Sequence, residues 1–230
     1  MKEQPILMNS AMVRALLNGS KTQTRRIVKK VGLAAPAPQS VIDGAATYAG
    51  GMVAHCPYGQ PGDRIWVREM WGVISHAWDE ACNLIDWAPD RPATAISEMP
   101  FGQGYYSGHV IYAADGAFEW SGDDDGDGDP RSAWHPSIHM PRRASRILLE
   151  IVSVRVERLK DISDADIVAE GIDMEALAES QDRYDIVCKG SGASGRATER
   201  SAWRDLWEST GGDWDANAWC WAITFKRVAP

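Results

Sequence analysis

Lys21, Arg25, Arg26, Lys29 and Lys30 put five cations into ten residues, with Ser20, Thr22, Gln23 and Thr24 among them. Ammonium and guanidinium groups interleaved with hydroxyls and an amide can hold a phosphate backbone or a polar base edge. Arg142, Arg143 and Arg146 form a second basic cluster. For either cluster, solvated charge that keeps the protein soluble is the competing explanation. Eleven tryptophans are too many to be all functional, so most are assigned to the core, and Trp66 and Trp71 are retained as candidate base-stacking platforms.

Metal chemistry is not expected. His135 and His139 stand four residues apart, but Pro136 opposes the helix that would align them. Asp123, Asp125, Asp127 and Gly128 imitate the start of a calcium loop, yet its twelfth position is Trp134 instead of Glu. Cys56, Cys82, Cys188 and Cys220 are too scattered for a C-x-x-C zinc site and too few for a disulfide scaffold, so they read as reduced, packed thiols. No cofactor is implied.

The elements that must position these residues follow from pattern. Pro5–Met8 is a short apolar entry. Asn9 or Ser10 caps an amphipathic turn carrying Met12, Val13, Leu16 and Leu17, and Gly19 stops it. The basic run therefore leaves a helix end, where backbone groups are still unpaired. Residues 31–51, rich in Ala, Pro and Gly, read as a loop. The turn Gly59-Gln60-Pro61-Gly62-Asp63 leads into a strand over Arg64–Glu69, with Ile65, Val67 and Glu69 on one face and Trp66 and Arg68 on the other. Residues 72–108 carry no assignable period; Val110–Ala113 is a strand, and residues 121–130 are an acidic, glycine-rich hairpin tip or loop.

Arg146–Leu159 is a long β-rich run, expected as the central strand, buried on both sides or bent near Ser153. Ser163 caps a short helix with acids in its first turn, ending at Glu170 and stopped by Gly171. Helices are expected over Met174–Arg183 and Ala197–Ser209, the second with a Trp203, Leu206, Trp207 stripe, with a flexible Gly190–Gly195 loop between them. Trp219–Lys226 closes the chain as a half-buried strand. The lack of a regular strand-helix rhythm predicts an α+β fold, a mixed barrel with inserted helices and long loops rather than a doubly wound sheet.

Gly19-Ser20-Lys21-Thr22-Gln23-Thr24-Arg25-Arg26 resembles the G-x-K-x-x-x-x-R signature of the ASCH family. The order of elements is similar too: a helix before the signature, Gly62–Glu69 after it like the family's G-D-x-x-x-V-R-E strand, and Trp221–Lys226 at the end. The longer layout is similar to phage-encoded members. The resemblance implies a PUA-like β-barrel over residues 1–230 as a single domain, with insertions at about 31–58, 72–130 and 183–198. It also implies a nucleoside or RNA substrate.

Within that family, small amidohydrolases that deacetylate N4-acetylcytidine use a Lys, a Thr three residues on and a later Glu. Lys21 and Thr24 match the first two, and Glu170, on a short acidic helix after the long strand, matches the third. The resemblance thus implies Lys21 as base, Thr24 as nucleophile and Glu170 as acid. A desolvated Lys can act as base, a Thr hydroxyl can attack an amide carbonyl, and a carboxylic acid can protonate the leaving amine. In a regular strand Lys21 and Thr24 would face opposite ways, so this site requires a turn or bulge between them. A helix-capping Thr beside a solvated Lys is the structural alternative.

Glu69 is a rival carboxylate, catalytic or ion-paired with Arg25, Arg26 or Arg68. Arg25, Arg26, Trp66, Arg68, Glu69 and Trp71 make up the expected substrate-binding set. A module that binds RNA or a modified base without chemistry, and a metal-independent ribonuclease, are the alternative functions.

Composition sets the outer bounds. Twenty-four basic against 32 acidic residues leave −8, which opposes nonspecific coating of a polyanion and confines nucleic-acid contact to a local patch. With 44 % hydrophobic and 24 % charged residues, the chain reads as an ordinary globular protein. Met1–Pro5 lacks the apolar stretch of a secretory signal and no segment reaches the length of a membrane span, so a cytoplasmic location without membrane contact is expected, and no protein partner is indicated.

Overall fold

The computed structural model describes residues 1–29, 32, 33, 35–118, 120, 133–188 and 197–229, with the side chains of 183–188 left aside. The acidic run 121–130 and the Gly190–Gly195 run, both expected as loops, lie outside the described residues, as does Lys30. The elements are β1 (Glu3–Leu7), α1 (Ser10–Leu17), β2 (Gln23–Ile27), β3 (Ser40–Ile42), β4 (Ala45–Thr47), β5 (Val53–His55), β6 (Arg64–Arg68), β7 (Trp71–Ile74), β8 (His76–Trp78) and β9 (Leu84–Asp86). There follow β10 (Thr94–Phe101), β11 (Gly104–Tyr112), β12 (Leu148–Arg158), α2 (Asp164–Ala169), α3 (Met174–Cys188), α4 (Glu199–Ser209) and β13 (Trp219–Val228). Sheets with a few separate helices make this an α+β fold. The five-stranded sheet has the order β1-β6-β12-β13-β2, with β12 in the middle as expected; β1 and β2 end an open order, so the barrel expectation is carried only this far. No helix among the described residues is long and apolar enough to cross a membrane.

The chain divides into two compact units, the first made of Met1–Gln4, Ala15–Arg64 and Leu149–Arg227, the second of Pro5–Arg14, Ile65–Leu148 and Val228–Pro230. In the first, β13 pairs antiparallel with β2, setting Ala222 opposite Arg25 and Ile223 opposite Thr24. Residues Trp219–Ile223 are buried on both faces, which corrects the half-buried strand expected from their alternation. One apolar cluster gathers Leu159, Ile162, Ile167, Ile172, Trp203, Trp207 and Cys220, so the tryptophan stripe of α4 is core. Thr198 caps α4 through a reciprocal pair with Ser201, starting the helix at Glu199 rather than Ala197. The helix begun at Met174 runs on to Cys188, past the expected Arg183, since no Gly or Pro interrupts it before Gly190.

Residues 40–55 correct the loop expectation: they fold as a three-stranded β3-β4-β5 meander. Its first turn is Asp43-Gly44, both residues at positive φ (48° and 71°), the two-residue hairpin that an Asp-Gly pair favours. A Cβ on Gly44 would lie 2.6 Å from the Gly59 carbonyl oxygen, so the position requires glycine twice over.

Asp63 anchors the turn before β6. Its carboxylate accepts from the Lys2 backbone N–H at 2.8 Å and from Gln60 N–H at 3.2 Å, and these bonds hold it below the ordinary value of 3.8. A depressed carboxylate gives stability that is complete above its unfolded value and lost as pH falls through the folded one. Urea midpoints measured from pH 5 down to pH 2 should therefore fall less steeply in Asp63→Asn than in the wild type. Parallel curves would remove Asp63 from the acid response.

In the second unit the 72–108 stretch forms most of β7 to β11, with the antiparallel order β10-β11-β7. Trp71, Ile96, Met99, Val110, Tyr112, Met140 and Ala144 pack as its core. Pro100 is tolerated because β10 is an edge strand. The register shifts between Ile96 and Met99, where Glu98 takes φ 47°. That bulge breaks the alternation a sequence pattern needs.

Candidate functional site

The site begins where α1 stops. The Asn9 side chain accepts from Met12 N–H at 2.9 Å and caps the helix, and Gly19 at φ +84° ends it. The Asn18 carboxamide then accepts from both the Ser20 N–H and hydroxyl, and Lys21 N–H returns to Ala15 O at 2.9 Å. Lys21 lies outside β2: it makes an isolated antiparallel bridge with Glu170, and Thr22 separates it from the strand.

On the other side, β12 feeds α2, whose N-cap Ser163 accepts from Asp166 N–H, and Glu170 is the C-cap. Gly171 follows at φ +84°; a Cβ there would sit 2.7 Å from Ala15 Cβ and 2.8 Å from Lys21 Cβ. The short helix thus seats directly on the Lys21 segment. Gly171→Ala pays both left-handed strain and a steric clash, and should cost more than about 1–2 kcal/mol of stability. Thermal unfolding would check it, and an unchanged midpoint would mean the contact is slack.

Lys21 and Glu170, 149 positions apart, meet in the interior: Nζ donates to Glu170 Oε2 at 2.8 Å and to its main-chain oxygen at 2.7 Å. Their side chains are 0 % and 2 % exposed. Arg25, fully buried, donates from Nη1 to Glu170 Oε1 at 2.9 Å, from Nε to Glu157 Oε1 at 2.8 Å, and from Nη2 to Glu157 and to Asp166. Gln23 bridges Asp166 and Thr224, and Arg155 reaches Glu157, Asp166 and Gln23. Three cations, Lys21, Arg25 and Arg155, therefore offset three carboxylates, Glu157, Asp166 and Glu170. Burial lowers the Lys21 pKa; Glu170 opposes this, and Arg26 and Arg25 add to it. Burial also pushes the nearby Cys220 thiol up to about 12, which removes it as a nucleophile.

Lys21, Gln23 and Arg25 share carboxylate partners and so share a face. Thr24, also fully buried, turns its hydroxyl to Arg26, whose Nη1 donates to Thr24 Oγ1 at 3.1 Å and to Arg25 O at 2.9 Å. Thr24 shares no hydrogen bond with Lys21 or Glu170 among the described residues; Arg26, which bonds Thr24, also acts electrostatically on Lys21. Pattern reading missed Glu157, Asp166, Arg155 and Gln23. Its available signal was Arg155 and Glu157, two charges at one parity inside an apolar strand, where burial demands partners.

The second unit holds the rest of the expected set. Glu69 pairs with Arg146, a correction to the pairing expected with Arg25, Arg26 or Arg68: Arg146 binds it through Nε and Nη2 at 2.9 Å each. The same guanidinium binds Asp115 at 2.7 and 3.0 Å and lies 3.8 Å from the Tyr112 ring centroid. Burial raises the Glu69 pKa against the opposing pull of Arg146. Arg68 stacks 4.7 Å from the Trp66 ring centroid and donates to Ile138 O. Trp71, fully buried, packs on Phe101 and His135 with ring centroids 5.0 and 4.7 Å away.

Among the described residues no group of three or more His, Cys, Asp or Glu is placed to hold a metal ion. A polar cavity of about 220 Å³ in the first unit, between Lys2, Gln4, His55, Gln60 and Asp63, includes none of the Lys21 cluster. No family model matches the chain, and no curated protein matches it. Among solved structures it is similar to an ASCH domain from Lactobacillus crispatus JV V101, at 10 % identity and a TM-score of 0.36, over 100 % of this chain and 81 % of that one.

Proposed function

We propose that this protein is an ASCH-type amidohydrolase that removes an acyl group from the exocyclic amine of a modified nucleoside, with N4-acetylcytidine as the model substrate. Lys21 is the base, Thr24 the nucleophile and Glu170 the carboxylate partner of Lys21. The observation that carries this reading is the buried contact at 2.8 Å between Lys21 and Glu170, two residues named together by resemblance alone and 149 positions apart in sequence. A desolvated amine beside a carboxylate is a proton-handling pair. The Arg26 bond to Thr24 Oγ1 occupies an acceptor position, favours developing negative charge on that oxygen and leaves the hydroxyl proton free to depart.

A second reading, a binding module for RNA or a modified base, is favoured by the absence of a hydrogen bond between Thr24 and Lys21 among the described residues, Thr24 being held by Arg26 and Lys21 by Glu170. Incubating the pure protein with N4-acetylcytidine and following cytidine and acetate by chromatography separates the two. Release of both products supports the hydrolase. Absence of turnover, with salt-dependent RNA binding that survives Thr24→Ala, assigns the binding module instead.

A further inference from the structure

Lys21 carries three N–H bonds as an ammonium and two N–H bonds plus a lone pair as an amine. Glu170 presents two acceptors to it, the main-chain oxygen at 2.7 Å and Oε2 at 2.8 Å, and Nζ has no other hydrogen-bond partner among the described residues. An amine satisfying both acceptors has its lone pair fixed in the one remaining tetrahedral direction. An ammonium in the same seat has one uncommitted N–H in that direction.

Each Glu170 carboxylate oxygen takes one donor, Oε2 from Lys21 and Oε1 from Arg25 Nη1 at 2.9 Å, and neither has a further hydrogen-bond partner among the described residues on a side chain that is 2 % exposed. A proton on Oε2 aimed at Nζ would consume the Lys21 lone pair, and a proton on Oε1 aimed at Arg25 would set donor against donor. A proton in either position is not offered to a third group while Lys21 serves as base, and the second lone pair of each oxygen meets no third group among the described residues.

We infer that Lys21 alone carries the proton in both directions, and that Glu170, held from behind by Arg25, is a positioning residue that aims Nζ. This rests on the amidohydrolase reading and changes the role of the carboxylate within it. In acylation the Thr24 oxygen bonds to the acyl carbon, its proton passes to Nζ, and Nζ delivers that proton to the exocyclic nitrogen as the C–N bond breaks. The free nucleoside leaves and an acyl ester remains on Thr24. Water then attacks the ester carbon and gives a proton to Nζ, which returns it to the Thr24 oxygen as the C–O bond breaks, releasing the carboxylic acid.

Two measurements test the assignment. The charged groups facing Nζ are Glu170 at the end of α2 and Arg25 and Arg26 on β2; Glu157 and Asp166 lie behind Arg25, with the Cys220 thiol on β13. With one carrier, kcat/KM of the wild type on N4-acetylcytidine rises with pH to a plateau as Lys21 loses its proton. A separate carboxylic acid requires a second, falling limb, and a bell-shaped profile would overturn the inference.

The second measurement compares Glu170→Gln with wild type on N4-acetylcytidine and on p-nitrophenyl acetate, whose leaving group needs no protonation. A positioning role lowers both rates by the same factor, to within about threefold, whereas loss of a general acid lowers the amide rate about 100-fold more than the ester rate. That selective loss would also overturn it. If the variant does not fold, the wild-type pH profile decides. A wild type that turns over neither compound overturns the amidohydrolase reading and this inference with it; an active wild type with a bell-shaped profile overturns the inference alone.

Discussion

On the proposed amidohydrolase reading, Lys21→Ala should lower turnover of N4-acetylcytidine by about 10²–10⁴-fold, the range that a positioned general base supplies. The loss should fall on kcat more than on KM, because Lys21 lies beneath the protein surface with its side chain 0 % exposed and in the proposed role serves the reaction more than the initial grip on substrate. Single-turnover and steady-state kinetics measure this split. A variant that keeps wild-type kcat removes Lys21 from the chemistry. The same substitution has a stability signature with a defined sign. Burial lowers the Lys21 pKa from 10.5, so protonated Lys21 costs more in the folded chain than in the unfolded one. That cost is present below the folded value and is released as pH rises from there towards 10.5. The wild type should therefore gain stability relative to Lys21→Ala across that window, and a constant difference would contradict the burial of the charge.

How much of this was legible from residues alone differs by element, for physical reasons. The α1 helix, the Gly19 stop, the Ser163 cap and the Gly171 stop carry their own local chemistry, and each stands where pattern placed it. Glu170 was legible as the last residue of a punctuated helix. Its contact with Lys21 was not, since a pairing across 149 positions has no local trace. The Asp43-Gly44 hairpin was legible and was missed because short strands of Ser, Val and Ala carry weak β signals around it. The β7 to β11 region was obscured by the edge-strand Pro100 and the bulge at Glu98, which erase the period of two. Trp66, Arg68, Glu69 and Trp71 are ordered by contacts with residues far along the chain, Ile138, Arg146 and His135 among them.

The condition set on Lys21 and Thr24 by strand geometry also sharpens what the site must do. Lys21 stands before β2, with Thr22 between, and its side chain joins Gln23 and Arg25 on the carboxylate side. Thr24 and Arg26 take the other side. The proposed transfer between Thr24 and Nζ therefore has to cross from one side of this segment to the other, and no hydrogen bond among the described residues spans the two groups.

Arg25→Met should destabilise the protein by about 3–5 kcal/mol, the cost of removing one partner from a buried ionic cluster. Arg25 is the only one of the three cations that contacts Glu157, Asp166 and Glu170 together, so its loss leaves Arg155 and Lys21, two cations, against three carboxylates that are 19 %, 24 % and 2 % exposed. Glu170 fares worst, because it alone has no solvent to fall back on. Replacing arginine by a shorter but flexible apolar chain that fills the space of its aliphatic stem limits the cavity contribution, so most of the measured loss reports the unpaired charge. For a chain of 230 residues the shift in melting temperature should be about 6–20 °C, and urea denaturation gives the free energy directly. Arg25→Lys should recover only part of it, since one ammonium cannot present the planar fork that reaches several carboxylates at once. A loss below about 1 kcal/mol would mean that water reaches Glu170 when Arg25 is removed, and the closed seat for Lys21 would then lose its physical basis.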